Sequence, residues 1–198
     1  MARPHPALAL TVIKIGGGLA TVPAALERVC RAVQEASLSH RIVVVPGGGS
    51  FAEAVREFDR TNRLSVSAAH WMAMLAMDQY AHVLADRIPN AELVEDPGSV
   101  AAATAQGRLA VLAPSRWMRS ADVLPHSWDV TSDSIAAFIA GALDAIRLLL
   151  IKPGRSGTVD PYFTAALPAG LSWRILGWDQ IELLSAELSG PIAAGESE

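Results

Sequence analysis

Leu10-Thr-Val-Ile-Lys-Ile-Gly-Gly-Gly18 is the stretch that decides how this chain folds. Six residues, apolar except for Thr11 and Lys14, are too few for a stable helix and read as a strand buried on both faces. Three glycines then end the strand in a tight loop. The pattern recurs at Arg41-Ile-Val-Val-Val-Pro-Gly-Gly-Gly49. Each loop runs into a helical signal. After the first, Thr21 is a cap candidate, and Val22, Leu26, Val29 and Val33 form one apolar stripe. After the second, Ser50 and Glu53 have the spacing of a capping box, with Phe51, Val55 and Phe58 as the buried stripe.

Further along, the pattern predicts a long helix from 67 to about 87, with Met74, Met77, Ala81, Leu84 and Ile88 inward. It predicts a strand over 109–113, an irregular segment over 115–129, and a helix capped by Thr131 or Ser132. Strands over 148–151 and 173–176 follow, then a last helix capped by Asp179 with Glu182. Wholly apolar strands alternating with amphipathic helices imply a mostly parallel sheet covered on both faces, the α/β class. Ligands of such sheets bind beyond the carboxyl ends of the strands, where both glycine loops lie. One domain is expected over 1–190, with a frayed tail over 191–198.

Composition narrows the function. The chain has 198 residues, 51% hydrophobic and 18% charged, which suits one well-packed domain and excludes a disordered chain. So few charges also suggest that some surface is covered in a homo-oligomer. The net charge is −4 and no basic tract exceeds a pair, which argues against nucleic acid as a partner. Cys30 is the one cysteine, so an internal disulfide and a cysteine metal cluster are excluded. No run approaches the ~20 apolar residues of a membrane span, and the N-terminal apolar run is too short for a signal peptide. The expected location is the cytoplasm.

The candidate chemistry starts with the glycines. Gly16, Gly17 and Gly18 on one loop, and Gly47, Gly48 and Gly49 on the other, let backbone N–H groups approach an anion at a helix start. Glycines also make plain tight turns, but two such loops at equivalent strand ends favour phosphate binding. Neither loop is a Walker A motif or a dinucleotide fingerprint. Lys14 interrupts an apolar strand two residues before Gly16, and a buried ammonium needs an anion. Lys152 stands at the end of another apolar strand. Phosphoryl transfer needs fixed cations of this kind. Asp133 falls in the first turn of a helix, where it is either a capping acid or the group that orients the lysines.

Several residues can be read two ways. Asp160 is a turn acid or a nucleotide contact. His70 is a core histidine or a ligand to an acceptor phosphate. Asp78 and Asp129 are solvated acids or partners for an amine on the acceptor, with Trp117 and Trp128 able to offer ring faces to the same cation. Arg116 and Arg119 are solvated or clamp the acceptor phosphate. The five histidines show no metal-ligand spacing.

Val12-Ile-Lys-Ile-Gly-Gly-Gly18, Val43-Val-Val-Pro-Gly-Gly-Gly-Ser-Phe-Ala52, and Thr131-Ser-Asp-Ser-Ile-Ala-Ala137 before Leu148-Leu-Leu-Ile-Lys152 resemble, in that order, the amino-acid kinase superfamily. The resemblance runs from about residue 10 to about residue 165. It implies a three-layer α/β/α sandwich with an open, mostly parallel sheet of about eight strands. It implies ATP as co-substrate in the C-terminal half and a small-molecule acceptor in the N-terminal half. Lys14 and Lys152 would flank the transferred group, with Asp133 organising them. Mg2+ would be held through the nucleotide phosphates, and Gly157 and Asp160 become nucleotide-binding candidates. The loop Lys152-Pro-Gly-Arg-Ser-Gly157 departs from the Asp-Gly-containing loop common in the superfamily, which opens the nucleotide preference. The Trp71–Tyr80 and Leu124–Asp133 stretches look most like small kinases of methanofuran biosynthesis, which convert (5-(aminomethyl)furan-3-yl)methyl phosphate to its diphosphate. The alternatives are an isopentenyl phosphate kinase and a non-catalytic nucleotide or oxyanion storage module.

Overall fold

The computed structural model describes residues 9–154 and 157–191. The N-terminal run before residue 9, Arg155 and Ser156 of the expected nucleotide loop, and the expected tail from residue 192 lie outside the described residues. The sheet contains β1 (Leu10–Ile15), β2 (Arg41–Pro46), β3 (Ala91–Val94), β4 (Leu109–Leu112), β5 (Arg147–Lys152) and β6 (Ser172–Gly177). All pair in parallel, in the spatial order β3-β4-β2-β1-β5-β6. The described sheet therefore has six strands where eight were expected.

The pleat sends alternate side chains to two cores. Val12, Val45, Leu148 and Leu150 face one layer, packed against α4 (Pro97–Ala105) and α6 (Ser132–Ala142). Ile13, Ile15, Val44 and Ile151 face the other, packed against α1 (Ala25–Ser37) and α8 (Leu184–Ser189). The long α3 (Val66–Arg87) feeds Met74 and Met77 into the first core and Tyr80 and Leu84 into the second. Each fully buried Ile or Leu contributes roughly 1.5–3 kcal/mol relative to exposure.

The local readings that missed were those set by long-range contacts. Residues 17–21 form a short 3-10 turn, and α1 starts at Ala25, so Thr21 donates to the Gly18 carbonyl instead of capping a helix. Helix α2 (Gly49–Asn62) starts directly on the second glycine loop with no side-chain cap, so Ser50 and Glu53 form no capping box. Its apolar stripe is not buried: Phe51 is 37% and Phe58 50% exposed. The segment expected to be irregular opens with α5 (Ser115–Ala121). Asp179 and Glu182 lie in a 3-10 turn, Trp178–Leu183, ahead of α8. β3, with only four residues, was not foreseen.

Candidate active site

The sheet changes winding direction at β1. From there the chain moves to β2 on one side and later returns to β5 on the other, and ligands of open α/β sheets sit outside the strand ends at such a point. Lys14 is the fifth residue of β1 and Lys152 the last of β5, and the pleat turns both toward the layer that holds α6. Asp133, the second residue of α6, meets both. Lys14 Nζ lies 2.9 Å from its Oδ1, and Lys152 Nζ lies 2.7 Å from its Oδ2. Lys152 also donates to the Thr158 carbonyl at 2.6 Å. These are the only two lysines in the chain, and all three side chains are buried.

The charges are coupled. Burial pulls the Lys14 ammonium below its ordinary pKa, and the Asp133 carboxylate opposes that shift without cancelling it. Burial alone would raise Asp133, but Lys14 and Lys152 outweigh it and hold the carboxyl below the usual carboxylate value. The start of α6 adds a favourable dipole for the anion.

Asp160 fixes this helix start. Its Oδ2 accepts from Thr131 N at 2.9 Å, Thr131 Oγ1 at 2.7 Å and Ser134 N at 3.0 Å, and its Oδ1 accepts from Ser134 Oγ. Both carboxylate oxygens are thus engaged at the start of α6. Gly157 packs on the Lys152 stem: a Cβ there would lie 2.5 Å from Lys152 Cδ.

The glycine loops touch each other. Gly16 N donates to Ile151 O at 2.9 Å and Gly47 N to Ile15 O at 2.8 Å, so each loop begins as one more step of the parallel ladder. A Cβ on Gly17 would sit 2.0 Å from Gly49 N, and one on Gly47 would sit 2.5 Å from Gly17 N. The glycines therefore serve the packing of loop on loop as well as any anion. Gly17 and Gly49 each begin a helical turn, whose first N–H groups have no carbonyl behind them.

Beside the loops opens a cavity of about 490 Å³. Gly17, Gly18, Gly48 and Gly49 form one end of it, and Met74, Met77, Val130 and Ile135 its apolar floor. His70 lies on the wall of the cavity. It stacks on His126 at 4.3 Å, and burial, aided by His126, pushes its pKa down to about 4, so the ring is neutral near pH 7. The outer wall comes from residues that the sequence did not single out together. Arg56 lies over the Trp128 ring at 4.8 Å and pairs with Glu53 at 3.2 Å, and Trp128 Nε1 donates to Asp59 at 2.9 Å. Trp128 and Asp59 are far apart in sequence, so no local spacing announces the pair.

The other expected acceptor residues are elsewhere. Asp78 accepts from Ser115 N at 3.0 Å and from Ser115 Oγ, which ties α3 to α5. Arg116 pairs with Glu95 at 3.1 Å, and Arg119 stacks over Trp71 at 4.6 Å. Asp129 closes a small turn with Ser127, and Trp117 is buried near Phe138. None of them lines the cavity among the described residues. No group of three or more metal-ligating side chains stands together among the described residues. No helix among them is long and apolar enough to cross a membrane.

The model of the amino acid kinase family matches residues 9–153. The chain belongs to the amino acid kinase family. A curated relative, the [5-(aminomethyl)furan-3-yl]methyl phosphate kinase of Methanocaldococcus jannaschii, is 30% identical over 182 residues, 91% of this chain and 81% of that protein. Among solved structures, the uridylate kinase of Archaeoglobus fulgidus superposes with a TM-score of 0.58 at 16% identity, over 75% of this chain and 64% of the other. The UMP kinase of Ureaplasma parvum gives 0.58 at 17% identity, over 74% and 67%. These two likenesses establish the fold. Family membership and the curated relative make this chain a kinase with ATP as co-substrate and a small-molecule acceptor.

Proposed function

We propose that this kinase transfers the γ-phosphoryl group of ATP to the phosphate of (5-(aminomethyl)furan-3-yl)methyl phosphate, forming its diphosphate. The observation that carries the reading is the Lys14–Asp133–Lys152 cluster at the lip of two touching glycine loops. An oxygen of the acceptor phosphate attacks the γ-phosphorus as the bond to the β,γ-bridging oxygen breaks, and ADP leaves. The transition state spreads negative charge over the transferring group, so fixed cations and N–H donors are the main catalytic requirement. Lys14 and Lys152 are the proposed cations, and the N–H groups of the glycine loops the proposed donors.

Asp133 gives a clue to the acceptor. Both of its oxygens are held by ammoniums, so it is unsuited to remove a proton from an incoming hydroxyl. A phosphate acceptor is already ionised and needs no such base. The name of the Methanocaldococcus jannaschii relative supplies the specific acceptor. The cavity fits a compact ring on its apolar floor with a phosphate at the glycine end. That same floor would accept an isoprenoid tail, so isopentenyl phosphate is the second reading.

Beside the two lysines, the carboxylates of Asp133 and Asp160 are both engaged and offer Mg2+ no free oxygen. Mg2+ is therefore proposed to arrive on the nucleotide phosphates, where it would neutralise charge. The exposed Phe51 and Phe58 on α2 support an oligomer, and the lone free Cys30 suits the cytoplasm.

The test is ATP-to-ADP conversion against a panel of phosphorylated small molecules, with products read by mass and kcat/KM compared for the aminomethylfuran phosphate and isopentenyl phosphate. A preference for the isoprenoid would overturn the acceptor and leave the kinase. Full activity in excess EDTA would contradict the metal requirement.

A further inference from the structure

Glu53 is the one carboxylate among the described residues that line the cavity. It sits one helical turn into α2, about 6 Å along the axis from Gly49 at 1.5 Å per residue. A ligand with its phosphate at the glycine loops and a ring on the apolar floor would therefore extend its far end toward this residue. The acids that the sequence offered for such a contact, Asp78 and Asp129, do not line the cavity. The ring face of Trp128 is already covered by Arg56.

We propose that Glu53 receives the ammonium of the acceptor and sets the preference of this kinase for an amine-bearing phosphate. The inference rests on the acceptor reading given above. Glu53 Oε1 is held by Arg56 at 3.2 Å, which aims the carboxylate while its second oxygen stays available. The side chain is 68% exposed without ligand, so it loses little solvation until a ligand covers it. His70, on the facing wall, is neutral near pH 7 and does not repel an ammonium. Arg56 is the like charge in reach. Its guanidinium is engaged by both Glu53 and the Trp128 ring, which limits its repulsion of the amine.

The test measures kcat/KM for two acceptors, the aminomethylfuran phosphate and the analogue in which a methyl group replaces the aminomethyl group. Glu53→Gln keeps the shape and removes the charge, and Glu53→Asp keeps the charge. The wild-type enzyme should prefer the amine by about tenfold, a difference of about 1.4 kcal/mol, through KM and not kcat. Glu53→Gln should erase most of that ratio, and Glu53→Asp should retain part of it. Equal losses on both acceptors in Glu53→Gln would overturn the assignment, as would an undiminished ratio. A wild-type enzyme that turns over the amine without preferring it would also overturn it, while leaving the acceptor reading intact. Turnover of neither acceptor would overturn both.

Discussion

Replacing Lys14 with methionine separates catalysis from stability at this site. The variant keeps the stem within β1 and deletes one of the two ammoniums on Asp133. Asp133 retains Lys152 at 2.7 Å, so no buried charge is left alone. The deleted ammonium was itself destabilised by burial, which offsets part of the lost pairing. Stability should therefore fall by no more than about 1–2 kcal/mol, or roughly 2–8 °C in Tm for a chain this size. Catalysis should suffer more, because a fixed donor aimed at developing charge is worth about 10²–10³ in kcat. Asp133→Ala is the contrast: it strands two buried ammoniums and should cost about 3–5 kcal/mol, roughly 6–20 °C. The assay is ADP release at saturating concentrations of both substrates, paired with thermal unfolding by circular dichroism. A folded Lys14→Met enzyme with near-normal kcat would refute the proposed role of Lys14. A Tm loss as large as that of Asp133→Ala would show that Lys14 is chiefly a structural counter-ion.

Asp160→Asn should lower kcat about tenfold and stability by about 1–3 kcal/mol, because the start of α6 loses acceptor capacity. An unchanged kcat in the folded variant would show that Asp133 does not depend on this support. Gly18→Ala should fold and bind phosphate ligands more weakly, since its Cβ meets only the Pro153 ring at 3.1 Å; Gly17→Ala should instead lose stability, because its Cβ meets the Gly49 backbone. Equal thermal stability of the two variants would contradict the loop-on-loop packing. The folded pKa of Asp133 is depressed, so its contribution to stability is present above its unfolded pKa, near 3.8, and is lost as pH falls through the lower folded value. Asp133→Asn should therefore show a flatter stability curve below about pH 4 than the wild type, measured by urea unfolding against pH.

Most of the framework was legible because it is written in short range. β1, β2, β4 and β5 are largely apolar runs ended by glycine, proline or a charged residue, and β6, though it carries Arg174, ends at Gly177. The inward stripe of α3, from Met74 to Ile88, follows helical spacing and is buried throughout. Lys14, Asp133 and Lys152 stood out because a charge next to apolar strands or at a helix start needs a partner. Asp160 was ambiguous because its donors, Thr131 and Ser134, are more than twenty residues away. The cavity wall was missed for the same reason. Glu53 fitted a capping box on paper, but the tight loop at Gly48 starts α2 without a side-chain cap and leaves Glu53 facing the cavity. The α2 stripe misled because amphipathicity reports an apolar face and not what covers it.

The proportion of two lysines to one carboxylate has its own physical logic. Two ammoniums buried side by side disfavour each other, and the charge of Lys152 lowers the proton affinity of Lys14. Without an anion between them, the cheaper course would be for one to lose its proton, and the site would lose a cation that phosphoryl transfer needs. Asp133 opposes that loss at Lys14 and pairs with both lysines, one oxygen to each. It leaves the cluster with a net charge of +1, enough to attract phosphate without the instability of +2. A second carboxylate would neutralise the cluster and repel the nucleotide. Asp160 is close enough to raise the proton affinity of Lys14, but its oxygens are saturated by backbone and hydroxyl donors of α6, which confine its charge to supporting the helix. The α6 start therefore carries two acids with separate tasks. One pairs with the two lysines, and the other holds the helix start that carries the first.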